Sequence, residues 1–304
     1  MFNKILVPLD GSELSERALA PALALAQKPG EIVTLLRVPL ARSTLAARLE
    51  GFDSYVKDWA QKQHTEERLR AGTYLEALKA THTGAGYNLE TCIANGEVLD
   101  SILELGKRHD VIVMSTHGYS GLTKLMMGSV TERVLAAAEC PVLVIRSPKP
   151  IQRILVPLDG SALSETAIAP ALEAAVRFKA AVALFRAVDE VTGFGRRIQL
   201  TGLEETDIAT RLRDRFMNEA ENYLNALVIP PEAALQVSRE AVVSDTPGLR
   251  ILDYAPRHEI DLIVMATHGR TGLAKWIYGS VTEKVLRNSQ SSILVIRPPR
   301  HRLH

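Results

Sequence analysis

The chain has 304 residues, of which 46% are hydrophobic and 23% are charged, and its formal net charge is +1. This is the composition of an ordinary globular protein, and the small net charge gives no indication of nucleic acid or an anionic membrane surface as a partner. Domains typically have about 100–150 residues, so the length predicts two of them. No apolar stretch approaches the roughly 20 residues that a membrane-spanning helix needs.

The cysteines and the first residues indicate the compartment. Cys92 and Cys140 both lie in the first half of the chain. Disulfide frameworks are dense and typical of small secreted domains, so we expect both thiols to be reduced. The first residues, MFNKILVPLDGS, place an aspartate and a serine where a signal peptide needs an unbroken apolar segment. We therefore expect a cytoplasmic protein.

Short runs of β-branched and apolar residues predict the strands. Runs such as VIVMS and LIVMA show no polar alternation, which is typical of strands buried on both faces of a parallel sheet. The predicted strands are residues 5–9, 32–38, 88–94, 110–115 and 142–146 in the first half, and 154–158, 181–187, 235–243, 261–266 and 293–297 in the second.

Helical patterns separate these runs. Ser12 predicts the N-cap of a helix that continues through the apolar residues of 18–26. Gly128 and Ser129 open another helix, and the long segments 39–63 and 189–211 are expected to carry helix as well. The residues of the Gly128 helix that are expected to face inward are Val130, Val134 and Leu135.

The sequence contains an internal duplication. Residues 5–12 and 154–161 both read ILVPLDGS. Residues 117–135 read HGYSGLTKLMMGSVTERVL, and residues 268–286 read HGRTGLAKWIYGSVTEKVL. A repeat of this length is longer than a solenoid unit, whose period is roughly 20–50 residues. The duplicated segments therefore indicate two copies of one domain.

The alternation of strands and helices indicates the fold of each copy. Five strands per half with helices between them are typical of a doubly wound α/β sheet. We predict one domain at 1–147 and a second at 151–298, joined by the short, proline-bearing linker SPKP.

Asp10 and Asp159 end the first strand of each copy and precede Gly-Ser at a helix start. Ligands of open α/β sheets bind at the carboxyl ends of the strands, where the strand order reverses. A carboxylate there can accept hydrogen bonds from an adenine amine or a ribose hydroxyl. The alternative is that Asp-Gly-Ser is only turn and cap chemistry. Its recurrence within eight identical residues favours the functional interpretation.

A glycine-bearing loop follows the fourth strand of each copy and leads into a helix that begins Gly-Ser-Val-Thr. Glycines allow a positive φ and a close approach of the backbone to a ligand. The free amides and the dipole at a helix N-terminus favour an anion. Hydroxyl groups that can donate to phosphate oxygens belong to Ser129, Thr131, Ser280 and Thr282.

No catalytic residue or metal site is assigned. His117 and His268 have no nucleophile at a recognisable spacing, and no second histidine or cysteine offers metal-ligand geometry. Hydrogen bonding to the loop backbone is the favoured role for these histidines. The glycine spacings of the P-loop and of the dinucleotide-binding fingerprint are absent from the expected places.

These motifs resemble the universal stress protein family in both halves and over nearly the whole chain. The residues that carry the resemblance are ILVPLDGS near each start, and THG-x-x-GL followed by GSVTE-x-VL near each end. The resemblance implies two tandem Rossmann-like domains of the adenine nucleotide alpha hydrolase type, each an α/β domain with a five-stranded parallel sheet flanked by helices. It also implies that ATP or a related adenine nucleotide, with or without Mg²⁺, binds between the first and fourth strands.

The nucleotide-binding members of this family carry Gly, two residues, Gly, nine residues, and Gly followed by Ser or Thr. In this chain Ser115 and Ala266 occupy the first glycine position. A residue with a Cβ tolerates a positive φ poorly, so the substitution bears on ligand affinity more than on the fold. The second and third glycines are Gly118 and Gly128 in the first copy, and Gly269 and Gly279 in the second.

The resemblance implies a set of nucleotide-binding residues, with the aspartates and the residue after the second strand at adenosine. In the first domain these are Pro8, Asp10, Val38, Ser115, His117, Gly118, Gly121, Gly128, Ser129, Val130 and Thr131. In the second they are Pro157, Asp159, Ala187, Ala266, His268, Gly269, Gly272, Gly279, Ser280, Val281 and Thr282.

The leading hypothesis is a stress-response protein that binds an adenine nucleotide and acts as a sensor or regulator through an unknown protein partner. Its chemistry is expected to be slow ATP hydrolysis at most. The alternatives are a nucleotide-free interaction scaffold with degenerate pockets and a slow ATPase. Family dimers typically pair through the last strand, so we expect residues 142–146 and 293–297 to pair inside one chain. Two chains can then associate further as a homodimer.

Overall fold

Parallel β-strands alternate with helices in each half of the chain. The protein is described by a computed structural model that covers residues 2–39, 54–82, 86–116, 127–188, 205–230, 235–244, 246–267 and 279–297. The chain divides into two compact units, Met1–Pro148 (unit 1) and Lys149–His304 (unit 2). The exact boundaries predicted for the two domains remain a prediction.

Unit 1 contains a five-stranded parallel sheet. Its strands are β1 (Lys4–Leu9), β2 (Ile32–Arg37), β3 (Asn88–Ile93), β4 (Val111–Ser115) and β5 (Val142–Ile145). They lie in the order β3-β2-β1-β4-β5. The chain therefore builds outward from β1 in one direction and then returns to build in the other, which is the doubly wound arrangement.

Unit 2 repeats this sheet. Its strands are β6 (Arg153–Pro157), β7 (Ala181–Val188), β8 (Val237–Val243), β9 (Leu262–Ala266) and β10 (Ser292–Ile296). All are parallel, in the order β8-β7-β6-β9-β10. Each strand predicted from the sequence is present, with bounds that differ by one or two residues, and the predicted doubly wound α/β class is confirmed.

The helices lie between the strands. In unit 1 they are α1 (Glu13–Glu16), α2 (Leu19–Leu25), α3 (Ser54–His82), α4 (Val98–Gly106) and α5 (Ser129–Ala137). In unit 2 they are α6 (Ala162–Glu165), α7 (Ile168–Phe178), α8 (Glu205–Ala226), α9 (Pro247–Arg257) and α10 (Ser280–Asn288). Across the described ranges, no helix combines the length and the apolar character that crossing a bilayer requires.

The prediction of one continuous helix after Ser12 was wrong in part. Ser12 is the N-cap, and its hydroxyl oxygen accepts the amide of Ser15 at 3.1 Å. The helix is interrupted at residues 17–18 and resumes as α2. Pro21 accounts for the break, because a proline has no amide hydrogen and its ring clashes with the carbonyl four residues earlier, here that of Arg17. Pro170 stands at the same place in unit 2, where α6 and α7 are likewise separate.

The central strands are buried on both faces, as their sequences predicted. Every residue of β4 except its last is fully or almost fully buried. The expected inward face of α5 needs one correction, because Val130 is only half-buried while Thr131 is 4% exposed. Val134 and Leu135 are buried as expected. The reason is that the hydroxyl of Thr131 has a partner inside, the carbonyl oxygen of Ser115 at 3.0 Å.

The two long connecting segments carry helix in the parts that the structure describes. α3 begins at Ser54 and α8 begins at Glu205. Residues 40–53 and 189–204 lie outside the described residues. The long helices pack on the second and third strands of their units.

A carboxylate ties the start of the fourth strand to the start of the first in each unit. Oδ2 of Asp110 accepts the amides of Asn3 and Lys4 at 2.8 and 3.0 Å. Oδ2 of Asp261 accepts those of Gln152 and Arg153 at the same two distances. Neighbouring strands thus share one charged acceptor, which fixes their relative position at the amino ends.

We expect Asp261→Ala to lower the free energy of unfolding of unit 2 by about 2 kcal/mol, because hydrogen bonds to a charged group contribute roughly 1.5–3 kcal/mol. Urea denaturation followed by circular dichroism measures the change. The matched control is Glu259→Gln, which removes a carboxylate that is 78% exposed and lies 3.1 Å from Arg153. Exposed ion pairs contribute roughly 0–1 kcal/mol, so the control should change little. Equal effects of the two substitutions would contradict the role given to Asp261.

Candidate functional site

A crevice opens where the carboxyl ends of β6 and β9 separate. The register of these neighbouring strands joins two residue pairs, Ile154 with Leu262 and Leu155 with Ile263. Both strands continue beyond these pairs, to Pro157 and Ala266. The strand order reverses at this place, which is where open α/β sheets bind ligands. In unit 1, β1 and β4 are joined by the same short register.

In unit 2 this crevice widens into a cleft of about 300 Å³. The volume is at the lower end of the range for small-molecule sites, roughly 300–1,000 Å³. Its walls come from the ends of β6, β7 and β9 and from the first turns of α6, α9 and α10. The lining residues are Pro157, Leu158, Asp159, Ser161, Leu163, Ser164, Phe185, Ala187, Pro247, Ile251, Met265, Ala266, Thr267, Gly279, Ser280, Val281 and Thr282.

A tight turn places Asp159 at the edge of this cleft. Gly160 has a φ of +85°, a conformation that residues with a side chain rarely adopt. The turn lets the amide of Ser161 donate to Oδ1 of Asp159 at 2.9 Å. The hydroxyl oxygen of Ser161 then accepts the amide of Ser164 at 3.1 Å and caps α6. Turn and cap chemistry is therefore present, and it holds the carboxylate at the cleft rather than away from it.

The same turn occurs in unit 1. Gly11 has a φ of +84°. The amide of Ser12 donates to Oδ1 of Asp10 at 3.0 Å, and its hydroxyl donates to the same oxygen at 2.6 Å. The backbone amide of Asp10 donates to the hydroxyl of Ser15 at 3.3 Å. The two copies of the motif thus share one local structure.

The environment of Asp159 favours its ionised form. Burial raises the pKa of this carboxyl, but hydrogen bonds from Ser161 and Ser164 outweigh that effect and lower the pKa below its usual value of 3.8. A carboxylate has about four lone-pair sites, so the bond to Ser161 leaves acceptor capacity for a ligand. Asp159 is therefore a charged acceptor at neutral pH.

The opposite wall of the cleft is a helix start without a side-chain cap. Gly279 is the N-cap residue of α10, with φ −59° and ψ 149°, and it makes no capping side-chain hydrogen bond. A Cβ built on Gly279 would meet no atom of the described residues within 4 Å. Gly128 occupies the same position on α5, with φ −61° and ψ 144°. Open amides at a helix N-terminus and the helix dipole together favour an anionic group.

One acidic residue lies near this helix start. Glu283 is in the first turn of α10. Its carboxylate pairs with Arg287 at 3.0 Å, one turn further along the helix. Both side chains are half or more exposed, and residues 280–282 line the cleft beside this pair.

The first glycine position of the expected pattern needs no glycine in this backbone. Ser115 and Ala266 are the last residues of β4 and β9. Extended backbone has a negative φ, which any residue adopts without strain. The expected conformational penalty therefore does not arise, and Ala266 contributes its methyl group to the cleft wall.

The structure brings most of the candidate residues of unit 2 together. The cleft is lined by Pro157, Asp159, Ala187, Ala266, Gly279, Ser280, Val281 and Thr282. In unit 1, Pro8, Asp10, Val38, Ser115, Gly128, Ser129, Val130 and Thr131 lie on or directly after the corresponding strand ends and helix start. The remaining candidates, His117, Gly118, Gly121, His268, Gly269 and Gly272, lie outside the described residues.

Sequence reasoning missed part of the cleft. Phe185 lies two residues before Ala187, and the alternation of side chains along a strand could have suggested it. Met265 directly precedes Ala266, and the neighbouring motif could have suggested it. Pro247 and Ile251 come from α9. Ile251 opens a segment, IL followed by an acidic residue, three residues and RH, that recurs from Ile102 in the first copy, and this recurrence could have suggested it. In the described part of the chain, no group of three or more His, Cys, Asp or Glu side chains is placed to hold a metal ion.

Comparisons with known proteins give the family. The family model of the universal stress protein family matches residues 1–146 and again residues 150–297. The universal stress protein YxiE of Bacillus subtilis is 34% identical over 148 residues, which are 48% of this chain and 100% of that protein. A universal stress protein of Mycobacterium tuberculosis strain H37Rv is 26% identical over 254 residues, covering 80% of this chain and 81% of its own.

A solved structure shows the same fold over the whole length. The crystal structure of a universal stress protein from Archaeoglobus fulgidus has a TM-score of 0.63 and 21% identity, covering 97% of this chain and 98% of its own. Since the family model matches each half separately, the two strand–helix repeats are both copies of the family domain. The chain belongs to the universal stress protein family, with two of its domains in tandem.

Proposed function

We propose that the protein binds an adenine nucleotide, ATP or a close relative, and acts as a nucleotide sensor or regulator in a stress response. The observation that carries this proposal is the pairing of two features in one cleft of unit 2: a charged acceptor, Asp159, on one wall and the uncapped start of α10 on the other. A ligand that fits both has hydrogen-bond donors at one end and negative charge at the other. An adenine nucleotide has this polarity.

The nucleoside end and the phosphate end of the nucleotide contact different residues of the cleft. Asp159 accepts hydrogen bonds from the ribose hydroxyls or the adenine amine, as a carboxylate at a strand end does in doubly wound folds. Phe185 and Ile251 provide apolar surface for the base. The amides that follow Gly279 donate to phosphate oxygens, and the hydroxyl of Ser280 adds a donor. A Mg²⁺ ion would not need a protein cage, because it is usually held by phosphates, waters and few carboxylates.

An interaction scaffold with degenerate pockets is the second candidate function. It was favoured by the missing first glycine at Ser115 and Ala266. The backbone at both positions is extended and does not require a glycine, which weakens the argument for the scaffold. Slow ATP hydrolysis is compatible with the proposal, although no described residue is placed as a base by the geometry of the cleft. Signalling then depends on occupancy rather than on turnover.

The proposal also includes an arrangement of the chain. Within each unit, the last strand, β5 or β10, lies beyond the fourth strand at one end of the five-stranded sheet, and the edge of a sheet is where a further strand can pair. We propose that these last strands pair inside one chain, that two chains associate further, and that the protein acts in the cytoplasm. A protein partner that reads nucleotide occupancy completes the proposal.

We expect Gly279→Val to abolish nucleotide binding in unit 2 without unfolding it. The backbone angles of Gly279 suit valine, and a Cβ there meets no atom of the described residues within 4 Å, so we expect the free protein to accommodate the side chain. A bound phosphate would collide with it. Calorimetric titration of ATP with Mg²⁺ into nucleotide-free protein measures the stoichiometry. The temperature of unfolding should fall only modestly, because valine is a poorer N-cap than glycine but its side chain causes no clash.

The duplication supplies the matched control for this experiment. Gly128→Val makes the same change in unit 1. If both sites bind, wild type takes two nucleotides per chain, each single variant takes one and the double variant none. Unchanged affinity and stoichiometry in Gly279→Val and Gly128→Val would refute the proposed phosphate site. Absence of binding to the wild type would support the scaffold instead.

Asp159→Asn should weaken nucleotide binding and also change how stability depends on pH. Asparagine keeps the turn, because its amide oxygen can accept the Ser161 amide, but it loses the charge. The lowered pKa of Asp159 stabilises the fold above the unfolded value of 3.8, and this contribution is lost as the pH falls through the lower folded value. The difference between wild type and variant in urea unfolding should therefore shrink from pH 7 towards pH 3. A difference that grows on acidification would contradict this assignment.

A further inference from the structure

A group of side chains lies directly behind the aspartate turn, outside the cleft. Phe185 and Ala187 of β7 both line the cleft. Successive side chains of a strand point to opposite faces, so Arg186 points to the other face of the sheet. This face is covered by the long helix α8, which packs on β7 and β8.

The Arg186 side chain lies against the backbone of the turn. A Cβ built on Gly160 would be 3.1 Å from Nη2 and 3.3 Å from both Cζ and Nη1 of Arg186. Gly160 therefore serves two purposes, since it adopts the positive φ and also leaves room for the guanidinium. The guanidinium therefore packs directly against the Asp159–Ser161 turn.

Tyr223 of α8 holds the arginine in place. Cζ of Arg186 lies 4.5 Å from the centroid of the Tyr223 ring, which is cation–π geometry. The Tyr223 hydroxyl donates to a carboxylate oxygen of Glu165 at 2.9 Å. Burial, the hydrogen bond to Glu165 and the charge of that carboxylate raise the pKa of Tyr223 to about 12, so the hydroxyl stays a donor at neutral pH.

These contacts close a ring of interactions. Glu165 is the last residue of α6, and Ser161 of the turn caps the same helix. The path runs from the turn to Arg186, to Tyr223 on α8, to Glu165 and back through α6 to the turn. The long helix is therefore attached to the aspartate turn from both sides.

Unit 1 carries the same three residue types. The hydroxyl of Tyr74 on α3 donates to Glu16, the last residue of α1, at 2.8 Å. Nη1 of Arg37 donates to the carbonyl oxygen of Leu9, the residue before Asp10, at 3.2 Å. Tyrosine and glutamate are separated by the same number of residues in both units. A repeated set that is spread over three elements indicates a shared role.

We propose that Arg186, Tyr223 and Glu165, and likewise Arg37, Tyr74 and Glu16, form a clamp that positions the ligand-binding aspartate and couples it to the long helix of its unit. The arginine is a positioning residue that acts through the turn. The coupling makes α8 and α3 the elements that respond to the state of the aspartate turn. The ligand-dependent part of this inference rests on the proposed nucleotide binding.

The first experiment needs no ligand. Hydrogen exchange with mass spectrometry is followed on the peptides of α8 in wild type, Asp159→Ala, Arg186→Ala and the double variant. We expect each single substitution to speed exchange around Tyr223 by roughly threefold to tenfold, as the loss of one cation–π contact or turn bond implies. The double variant should exchange no faster than Arg186→Ala, because coupled residues are not additive. Additive effects would overturn the clamp.

The second experiment uses ATP with Mg²⁺ at saturation, checked by calorimetry for each variant. Nucleotide should slow exchange in α8 of the wild type. Arg186→Ala should bind roughly five- to tenfold more weakly, and at saturation it should lose the protection of α8. Tyr223→Phe keeps the ring beneath Arg186 but loses the bond to Glu165, so it should retain part of that protection, whereas Tyr223→Leu should lose it.

Arg215→Ala is the matched control. Arg215 is on the same helix, is 73% exposed and pairs with Glu219 at 3.0 Å, so both binding and protection should stay as in wild type. Two results would contradict the coupling while the proposed function stands. In one, ATP binds to the wild type without protecting α8; in the other, the protection of α8 persists in Arg186→Ala. If ATP fails to bind the wild type, the proposed function falls and the ligand-dependent coupling falls with it. The ligand-free comparison of the single and double variants then decides whether the clamp itself exists.

Discussion

The positive φ of the glycine after each aspartate is the constraint on which the rest of the site depends. It turns the chain from a buried parallel strand into a capped helix within three residues. In that conformation the amide two residues later reaches the carboxylate, and the absence of a Cβ leaves room for Arg186 beside the turn. A side chain at Gly160 would therefore disturb the acceptor, the helix cap and the contact to the long helix at once.

Much of the fold could be predicted because its signals are local. Strands such as β4 have no polar alternation, and Ser12 is recognisable as a cap. The break between α1 and α2 was missed because apolar spacing was given more weight than Pro21, which removes a backbone donor. Thr131 was assigned to the ligand although its hydroxyl donates to a strand carbonyl. Threonine on a helix can satisfy either role, and the sequence does not distinguish them.

The site itself was only partly visible in the sequence, for a different reason. Asp159 and Gly279 stand in long repeated motifs, whereas Glu165, Arg186 and Tyr223 lie on three separate elements in short repeats. These repeats read LSE, V-x-L-x-R and YL-x-AL in both copies. Their signal was present as recurrence at a constant offset, since Arg37, Tyr74 and Glu16 occupy the same places in the first copy. Comparing the two halves residue by residue, rather than motif by motif, would have revealed it. The packing of α8 on β7 then explains why they meet.

The choice of glycine at the two helix starts bears on the scaffold alternative. A serine or aspartate at Gly279 would cap α10, and such caps stabilise helices by about a few tenths of a kcal/mol relative to glycine. The angles at Gly279 and Gly128 do not require glycine, since φ is negative at both. Stability alone therefore gives no reason for glycine at either position. Open space among the described residues in front of Gly279 does give one for α10, because a phosphate needs that space and a partner protein bound elsewhere does not.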